Sequence, residues 1–468
     1  MSQTNIHFGT SGWRGIIAED FTFSGVRRAS AAIAAHILTH TKKPTLIVGY
    51  DTRFLSPEFA LASAAVLQAH GCRILFCPEP TPTPVIAHAI IHGKLDGGVN
   101  ITASHNPAEY NGLKFSGPEG GPALPDVTKD IEKRAAAIAD SDAHHEVEDT
   151  FERINPREPY FAQLEKMIRF DVIQKARGTF ICDAVHGCGA GWLDRILKIH
   201  GMDIVEIRAE RDALFEGSGP DPSEQNLALL KKTVLEKKAI AGLATDGDAD
   251  RYGILDRDGT FIQPNLILGL VFDYLLETRG TKLGAWRSVA TTSLLDAIAQ
   301  KNGVKVYETP VGFKYVGPLL REDKILMGGE ESAGLTIRGH LPEKDGILAC
   351  LLVAELIAAR QASLGEQLRS LFQKLGREFW PIRVNLHLAA DVQARVPEKL
   401  RNADCKEFAG RKVASINRTD GLKLFLDDGS WVLMRPSGTE PLIRIYTEST
   451  TQAESEKIAE EAKKWLTQ

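Results

Sequence analysis

The sequence predicts an α/β protein made of three similar mixed α/β blocks followed by a smaller α+β block. Three observations carry this. The chain has 468 residues, more than one ordinary hydrophobic core accommodates, so several domains are expected. Short apolar runs alternate with helical stretches through the first three quarters of the chain, the spacing of parallel βαβ units. Near the C-terminus the rhythm changes to strand, turn, strand, with an Asp427-Asp428-Gly429 hairpin signal. The boundaries are placed at 1–150, 151–258, 259–372 and 373–468.

In the first block, Ser24 is positioned to cap a helix running to about His40, with Val26, Ala29, Ile33 and Ile37 on one face. Thr45–Tyr50 reads as a buried strand. Ser56 then caps a helix with Pro57 at its first position and Gly71 past its end. Arg73–Cys77 is the next strand, and Thr83-Pro84 opens another helix. Ala135–Asp149 reads as a helix end and linker. Its His144-His145 pair has no partners at metal-binding spacing, and adjacent residues face apart on regular elements.

The second block has strands at Thr179–Asp183 and Ile240–Ala244. The glycine turn His186–Gly191 between them reads as a tight strand–helix connection in preference to a phosphate cradle. The third has a helix near Leu266–Glu277, strands at Ser288–Thr292 and Val304–Glu308, and a long helix from about Asp345 to Arg360. In the last block, Phe379–Leu388, Leu422–Leu426, Trp431–Met434 and Leu442–Thr447 are strand-like, and Glu454–Leu466 closes as an amphipathic helix.

Composition excludes several classes. With 43% apolar residues, 25% charged residues and a net charge of −5, there is no basic excess for nucleic acid. An anionic ligand must be attracted by local cations. The six cysteines show no CxxC spacing and read as reduced thiols of a cytoplasmic chain. The start, MSQTNIHFGTSGWRG, lacks signal-peptide character. The longest apolar run, Ile347–Ala359, contains Glu355 and is too short to span a bilayer, so no membrane partner is expected.

Four polar loops carry the chemistry. Ile101–Lys114, ITASHNPAEYNGLK, presents Ser104 at a strand end, with His105 beside it and Lys114 further on. A serine there is a plausible acceptor for a covalent group, given a base, metal or electrophilic clamp. Taken alone, the stretch reads as a turn with local side-chain caps; the other loops change that. Asp246, Asp248 and Asp250 in DGDADR repel unless a cation neutralises them, and their hard oxygens suit Mg²⁺. An EF-hand fails, because Arg251 and Arg257 stand where its glycine and glutamate belong. In GGEESAG, Glu330 and Ser332 alternate, as they would to accept from vicinal hydroxyls, although a plain surface turn matches equally well. Arg435–Pro441, RPSGTEP, combines a guanidinium, the hydroxyls of Ser437 and Thr439, and Gly438, the composition of a phosphate nest. Arg14 in TSGWRG and Lys314 in TPVGFKY add cations.

Together these loops resemble the α-D-phosphohexomutases, the phosphoglucomutases and phosphomannomutases, along essentially the whole chain and in family order. TASHNP at 102–107 resembles the phosphoserine loop, DGDADR the metal loop, GEESAG the sugar loop and RPSGTEP the phosphate loop. The resemblance implies four domains around one central cleft. It implies a phosphorylated Ser104 that also ligates the metal with the three aspartates, and Mg²⁺ as cofactor. It places Arg251, Lys314, Glu330, Ser332, Arg435, Ser437, Gly438 and Thr439 on the substrate. GEES followed by glycine is similar to the glucose-phosphate members; many bacterial relatives have histidine where this chain has Gly334. Lys114, His105 and Arg14 then remain as acid/base candidates.

The implied reaction interconverts hexose 1- and 6-phosphates through a bisphosphorylated sugar, with hexose 1,6-bisphosphate as activator and glucose phosphate preferred. Phosphomannomutase and phosphoglucosamine mutase are the alternatives within the family. A phosphatase would pass the phosphoryl group to water. A non-catalytic sugar-phosphate sensor would not need the serine and three aspartates together. The expected partner is a small hexose phosphate, with the chain a monomer or dimer.

Overall fold

Residues 102–109 and 246–251 are each too few for a crossover to a parallel strand, which takes a dozen residues or more, and this shapes both N-terminal sheets. In the computed structural model, which describes residues 5–9, 12–140, 143, 150–437 and 442–467, the first sheet has a parallel centre. Thr45–Tyr50 pairs with Arg73–Phe76 on one side and Gly97–Ile101 on the other. The chain then turns back, and Tyr110–Ser116 runs antiparallel to Gly97–Ile101, with Ile101 opposite Leu113. Gly12–Ile16 continues the antiparallel edge. The sequence pattern suggested parallel βαβ units, and the sheet is mixed because this loop is short. The second sheet repeats the device. Ala241–Thr245 is parallel to Phe180–Asp183 but antiparallel to Tyr252–Asp256, across the loop 246–251.

Two caps differ from expectation. The helix Phe23–Ile37 is capped by Thr22, whose hydroxyl accepts from Gly25 N at 3.1 Å, while Ser24 lies inside the first turn. Ser56 begins the helix Ser56–Ala69 without capping it. Its hydroxyl donates to Asp51 Oδ1 (2.7 Å) and accepts from Asn111 Nδ2 (2.9 Å), tying the helix start to the end of the strand Thr45–Tyr50 and to the return strand Tyr110–Ser116.

The long apolar helix, Gly346–Arg360, packs on strands Ala241–Thr245 and Tyr252–Asp256 and is buried over nearly its whole length. Asp345 caps it, accepting from Leu348 N at 2.9 Å; Tyr160 OH (2.8 Å) and His340 Nε2 (2.7 Å) share the same carboxylate. Among the described residues no single helix is long and apolar enough to cross a membrane. All six cysteines are free.

The chain divides into two units, one of Met1–Pro264, Phe313–Asp323 and Ser332–Leu364, the other of Asn265–Gly312, Lys324–Glu331 and Gly365–Gln468. In the second unit Gly284–Ser288 lies parallel between Val306–Thr309 and Ile325–Glu330. The strand expected at Ser288–Thr292 ends at Ser288, because Thr292 and Ser293 are taken by Glu448 at the start of the helix Leu294–Asn302. The C-terminal sheet is wholly antiparallel, with Trp380–Leu386, Ile443–Ser449, Trp431–Pro436, Leu422–Leu426 and Arg411–Asn417 as neighbours in that order. Trp431, Leu433 and Tyr446 pack on Val289 and Ala290. Lys423 Nζ donates to Val289 O at 2.7 Å and lies 3.9 Å from the Trp431 ring centroid; burial pulls its pKa down to about 7.

His88, on the helix Thr83–Gly93, is buried beside Tyr160, and its Nδ1 has no hydrogen-bond partner. Burial, then His340 and His92, lower its pKa from 6.5 to about 4. As pH falls, the unfolded chain takes up this proton first, so stability is full above 6.5 and declines through the window down to 4. Between pH 7 and pH 5 the expected loss from this group is about 2 kcal/mol. Urea unfolding at the two pH values measures it, and His88→Gln should flatten the difference.

Candidate active site

Each antiparallel return delivers a polar loop to the C-terminal end of a parallel strand, and the two loops touch. Ser104 is buried and adopts φ 55°, a left-handed conformation unusual for a residue with a side chain. Its backbone N donates to Thr102 Oγ1 (2.8 Å), and its hydroxyl donates to Asp246 Oδ2 (2.8 Å). His105 Nδ1 is 3.4 Å from Ser104 Oγ, and Arg14 Nη1 donates to Asn106 Oδ1 at 2.6 Å. The approach is close: a Cβ added at Gly247 would lie 2.5 Å from Ser104 O.

Asp246, Asp248 and Asp250 are all buried, and an oxygen from each lies within 4.8 Å of the others. Lys114 Nζ bridges Asp248 Oδ2 (2.5 Å) and Asp250 Oδ2 (2.8 Å); Lys344 Nζ is 3.1 Å from Asp250 Oδ2. Thr83 Oγ1 donates to Asp248 Oδ2 (2.5 Å) and Arg251 N to Asp246 Oδ1 (3.0 Å). Asp248 Oδ1 and Asp250 Oδ1 are buried with no hydrogen-bond partner. Orphaned hard oxygens in a tight carboxylate cluster are what a divalent cation requires, so the donor set fits Mg²⁺.

The electrostatics follow. Burial, then Asp248 and Asp250, push the Asp246 carboxyl well above the usual carboxylate range, a cost that a bound cation would relieve. Asp250 is held low against its own burial by Lys114, Lys344 and Arg251. Burial opposes the charge on Lys114, but Asp248 and Asp250 outweigh it and raise its pKa. Burial, Arg251 and Arg14 keep the His105 imidazole neutral.

Arg14, Ser104, His105, Lys114, the three aspartates and Arg251 thus gather in the first unit. Lys314 also belongs to that unit, half-buried with Nζ 5.4 Å from the Tyr315 ring centroid, and Ser332 sits in the turn before the strand Gly334–Ile337. In the second unit Glu330 ends its strand buried, accepting from Gly312 N at 2.7 Å. Arg435 is buried with Nε 3.2 Å from Asp420 Oδ2, and that pairing raises its pKa against burial. Ser437 N donates to Leu442 O at 2.9 Å. Gly438 and Thr439 lie outside the described residues, as does most of the linker with His144-His145. In the turn His186–Gly191 the glycines allow close packing on the aspartate loop: Cβ atoms at Gly187 and Gly189 would strike Asp246 O (2.9 Å) and Thr245 Oγ1 (2.4 Å).

Sequence reasoning missed Lys344 and Thr83. Lys344 had a faint signal, a cation between Glu343 and Asp345 just before a strong apolar helix. Its path to Asp250 runs through space that Gly334 leaves open; a Cβ there would meet Lys344 Cδ at 2.7 Å.

Models of phosphoglucomutase/phosphomannomutase match the chain domain by domain: α/β/α domain I over residues 5–142, domain II over 158–259, domain III over 263–375 and the C-terminal domain over 392–464. The phosphoglucomutase/phosphomannomutase of Thermococcus kodakarensis is 32% identical, covering 97% of this chain and 96% of its own. The chain belongs to this family. A probable phosphoglucosamine mutase of Methanosphaera stadtmanae is 31% identical over 95% of this chain and 94% of its own. The crystal structure of a putative phosphomannomutase from Thermus thermophilus superimposes with a TM-score of 0.88 at 32% identity, covering 99% of this chain and 100% of that one. As a phosphohexomutase the chain is an isomerase of the intramolecular phosphotransferase type, with the fold of its family.

Gly247→Ala tests the contact between the two loops. The added methyl meets the Ser104 backbone, so turnover should fall about a hundredfold, the cost of a displacement of about 1 Å, while stability drops by only about 1–3 kcal/mol. Mutase assays and melting curves on the same preparation separate the two effects.

Proposed function

We propose that this phosphohexomutase interconverts hexose 1-phosphate and hexose 6-phosphate through a phosphorylated Ser104, with glucose phosphate preferred. The observation that carries the reading is the Ser104 hydroxyl lying 2.8 Å from Asp246 Oδ2 within the buried carboxylate cluster. Asp246, Asp248 and Asp250, with an oxygen on Ser104, would hold Mg²⁺, which supplies charge neutralisation for the transferring phosphoryl group.

In the forward half-reaction the bond between Ser104 Oγ and phosphorus breaks and a sugar hydroxyl oxygen bonds to phosphorus, leaving a sugar bisphosphate. The hydroxyl proton must leave and Ser104 Oγ must be protonated. His105, whose Nδ1 lies 3.4 Å from that oxygen, is assigned to the proton exchange. Lys114, held as an ammonium by Asp248 and Asp250, supplies fixed positive charge, and Arg14 and Arg251 add to it. The second half-reaction is the reverse at the other phosphate. Ser104 recovers a phosphoryl group and the isomeric monophosphate leaves. Added hexose 1,6-bisphosphate acts as activator by phosphorylating Ser104 directly.

Arg435 and the Ser437 loop are assigned to the phosphate that is not reacting, where a guanidinium makes charge-assisted, bidentate contacts. Lys314, Glu330 and Ser332 are assigned to the sugar. Glucose is the favoured hexose on the sequence GEESAG. The relatives' names, phosphomannomutase and phosphoglucosamine mutase among them, keep mannose and glucosamine phosphates as the second reading.

Intact mass should show a phosphorylated fraction that Ser104→Ala lacks, and that variant should not isomerise. Isomerisation at the parent rate would end the phosphoserine reading, and free phosphate as the main product would make the enzyme a phosphatase. For the sugar, glucose 1-phosphate and mannose 1-phosphate differ at one hydroxyl, worth about 0.5–1.5 kcal/mol, so a preference of roughly tenfold in kcat/KM for glucose is expected. A panel of glucose, mannose and glucosamine 1-phosphates, each primed with its own bisphosphate, measures it; a higher value for mannose reverses the assignment.

A further inference from the structure

Behind the serine loop lies a residue with no polar atom left to offer a substrate. Arg53 is fully buried. Its Nε donates to Asp51 Oδ2 (3.1 Å). Nη1 donates to Pro107 O (2.7 Å) and Tyr110 O (3.0 Å), and Nη2 to Ser104 O (2.7 Å) and Asn106 O (2.6 Å). The five N–H bonds of the planar guanidinium are all engaged, four of them on carbonyl oxygens spanning the serine loop. The fork is held in turn. Asp51 accepts from Arg53 N (3.0 Å) and Ser56 Oγ (2.7 Å), and the Phe215 ring centroid lies 5.2 Å from the guanidinium carbon. From the second α/β block, Arg211 donates to Thr52 O (2.9 Å) and Arg53 O (3.1 Å).

We propose that Arg53 is the positioning residue for Ser104, its guanidinium acting as a rigid template for the serine loop, with Arg211 fixing the template from behind. This rests on the phosphoserine reading above. The left-handed backbone of Ser104 (φ 55°) persists in a non-glycine residue only where its surroundings over-determine it. Ser104 O is caught between Arg53 Nη2 on one side and the backbone of Gly247, where even a Cβ would be 2.5 Å away, on the other. That grip fixes the backbone from which Oγ reaches Asp246 Oδ2 at 2.8 Å. A lysine at 53 keeps the charge but brings three donors at one point and loses the planar fork.

The test measures phosphoryl uptake by Ser104 from glucose 1,6-bisphosphate, followed by intact mass, on wild type, Arg53→Lys and Arg211→Ala, with melting curves and the KM for glucose 1-phosphate. Arg53→Lys should fold, take up phosphoryl about a hundredfold more slowly and keep its KM, because Arg53 is hidden behind the loop. Arg211→Ala, at an exposed side chain, should show a smaller fall of the same sign without a change in melting temperature. Folded Arg53→Lys with the wild-type uptake rate overturns the inference. If that variant fails to fold, Arg211→Ala decides: slowed uptake supports the template and an unchanged rate overturns it. A wild-type Ser104 that accepts no phosphoryl group overturns the phosphoserine reading itself, and the template with it.

Discussion

Three carboxylates crowded into a buried turn are the constraint on which the first unit depends. At 4.8 Å each pair of full charges repels by about 3–4 kcal/mol even at an effective dielectric of about 20. The short stretch from Asp246 to Asp250 cannot relieve that locally, so the relief is imported. Lys114 comes from the antiparallel return strand of the first sheet, Lys344 from the residues ahead of the long helix, and Thr83 from the start of the helix Thr83–Gly93. Two helix N-termini also abut the loop, through Thr83 N to Asp248 O (3.0 Å) and Gly346 N to Ala249 O (3.1 Å), and their dipoles favour negative charge there. The tertiary structure around the cluster is largely the arrangement that brings these groups in.

This explains which parts of the site were legible in the sequence. The aspartate triad is legible because its residues are near neighbours along the chain and their repulsion is unavoidable in any fold. Ser104 is legible only in the company of the other loops. Lys344 is nearly invisible, because what gives it meaning, Asp250, is supplied by packing across the chain. The same division holds for the fold. Strands such as Thr45–Tyr50 and the helix Gly346–Arg360 announce themselves by composition. The antiparallel returns that make both sheets mixed are written in loop length. Ser56 and Thr292 misled for one reason: a hydroxyl near a helix start looks like a cap or a strand end, and only the tertiary partner reveals which bond it makes; at Ser24 the cap instead falls to its neighbour Thr22.

In the second unit a buried polar hub plays the joining role. Glu448, on the strand Ile443–Ser449, accepts from Thr292, Ser293 and Trp431 Nε1, while Lys423 reaches Val289 O beneath the Trp431 ring. Each of these bonds except that of Trp431 ties the C-terminal sheet to the third α/β block. Arg435, four residues along the same strand from Trp431, is paired with Asp420, which also accepts from Val311 N (3.1 Å). The segment that begins at Arg435 is therefore anchored, through Asp420, to the block that carries Glu330.

Gly334 decides where one of the cluster's cations can lie. Its missing side chain is the corridor through which Lys344 reaches Asp250, with the Phe313 ring centroid 5.5 Å from the ammonium. Any side chain at 334 and a lysine at 344 in this pose compete for one volume. A bulky residue at 334 in this chain would push the Lys344 side chain out of its path and take one cation away from Asp250.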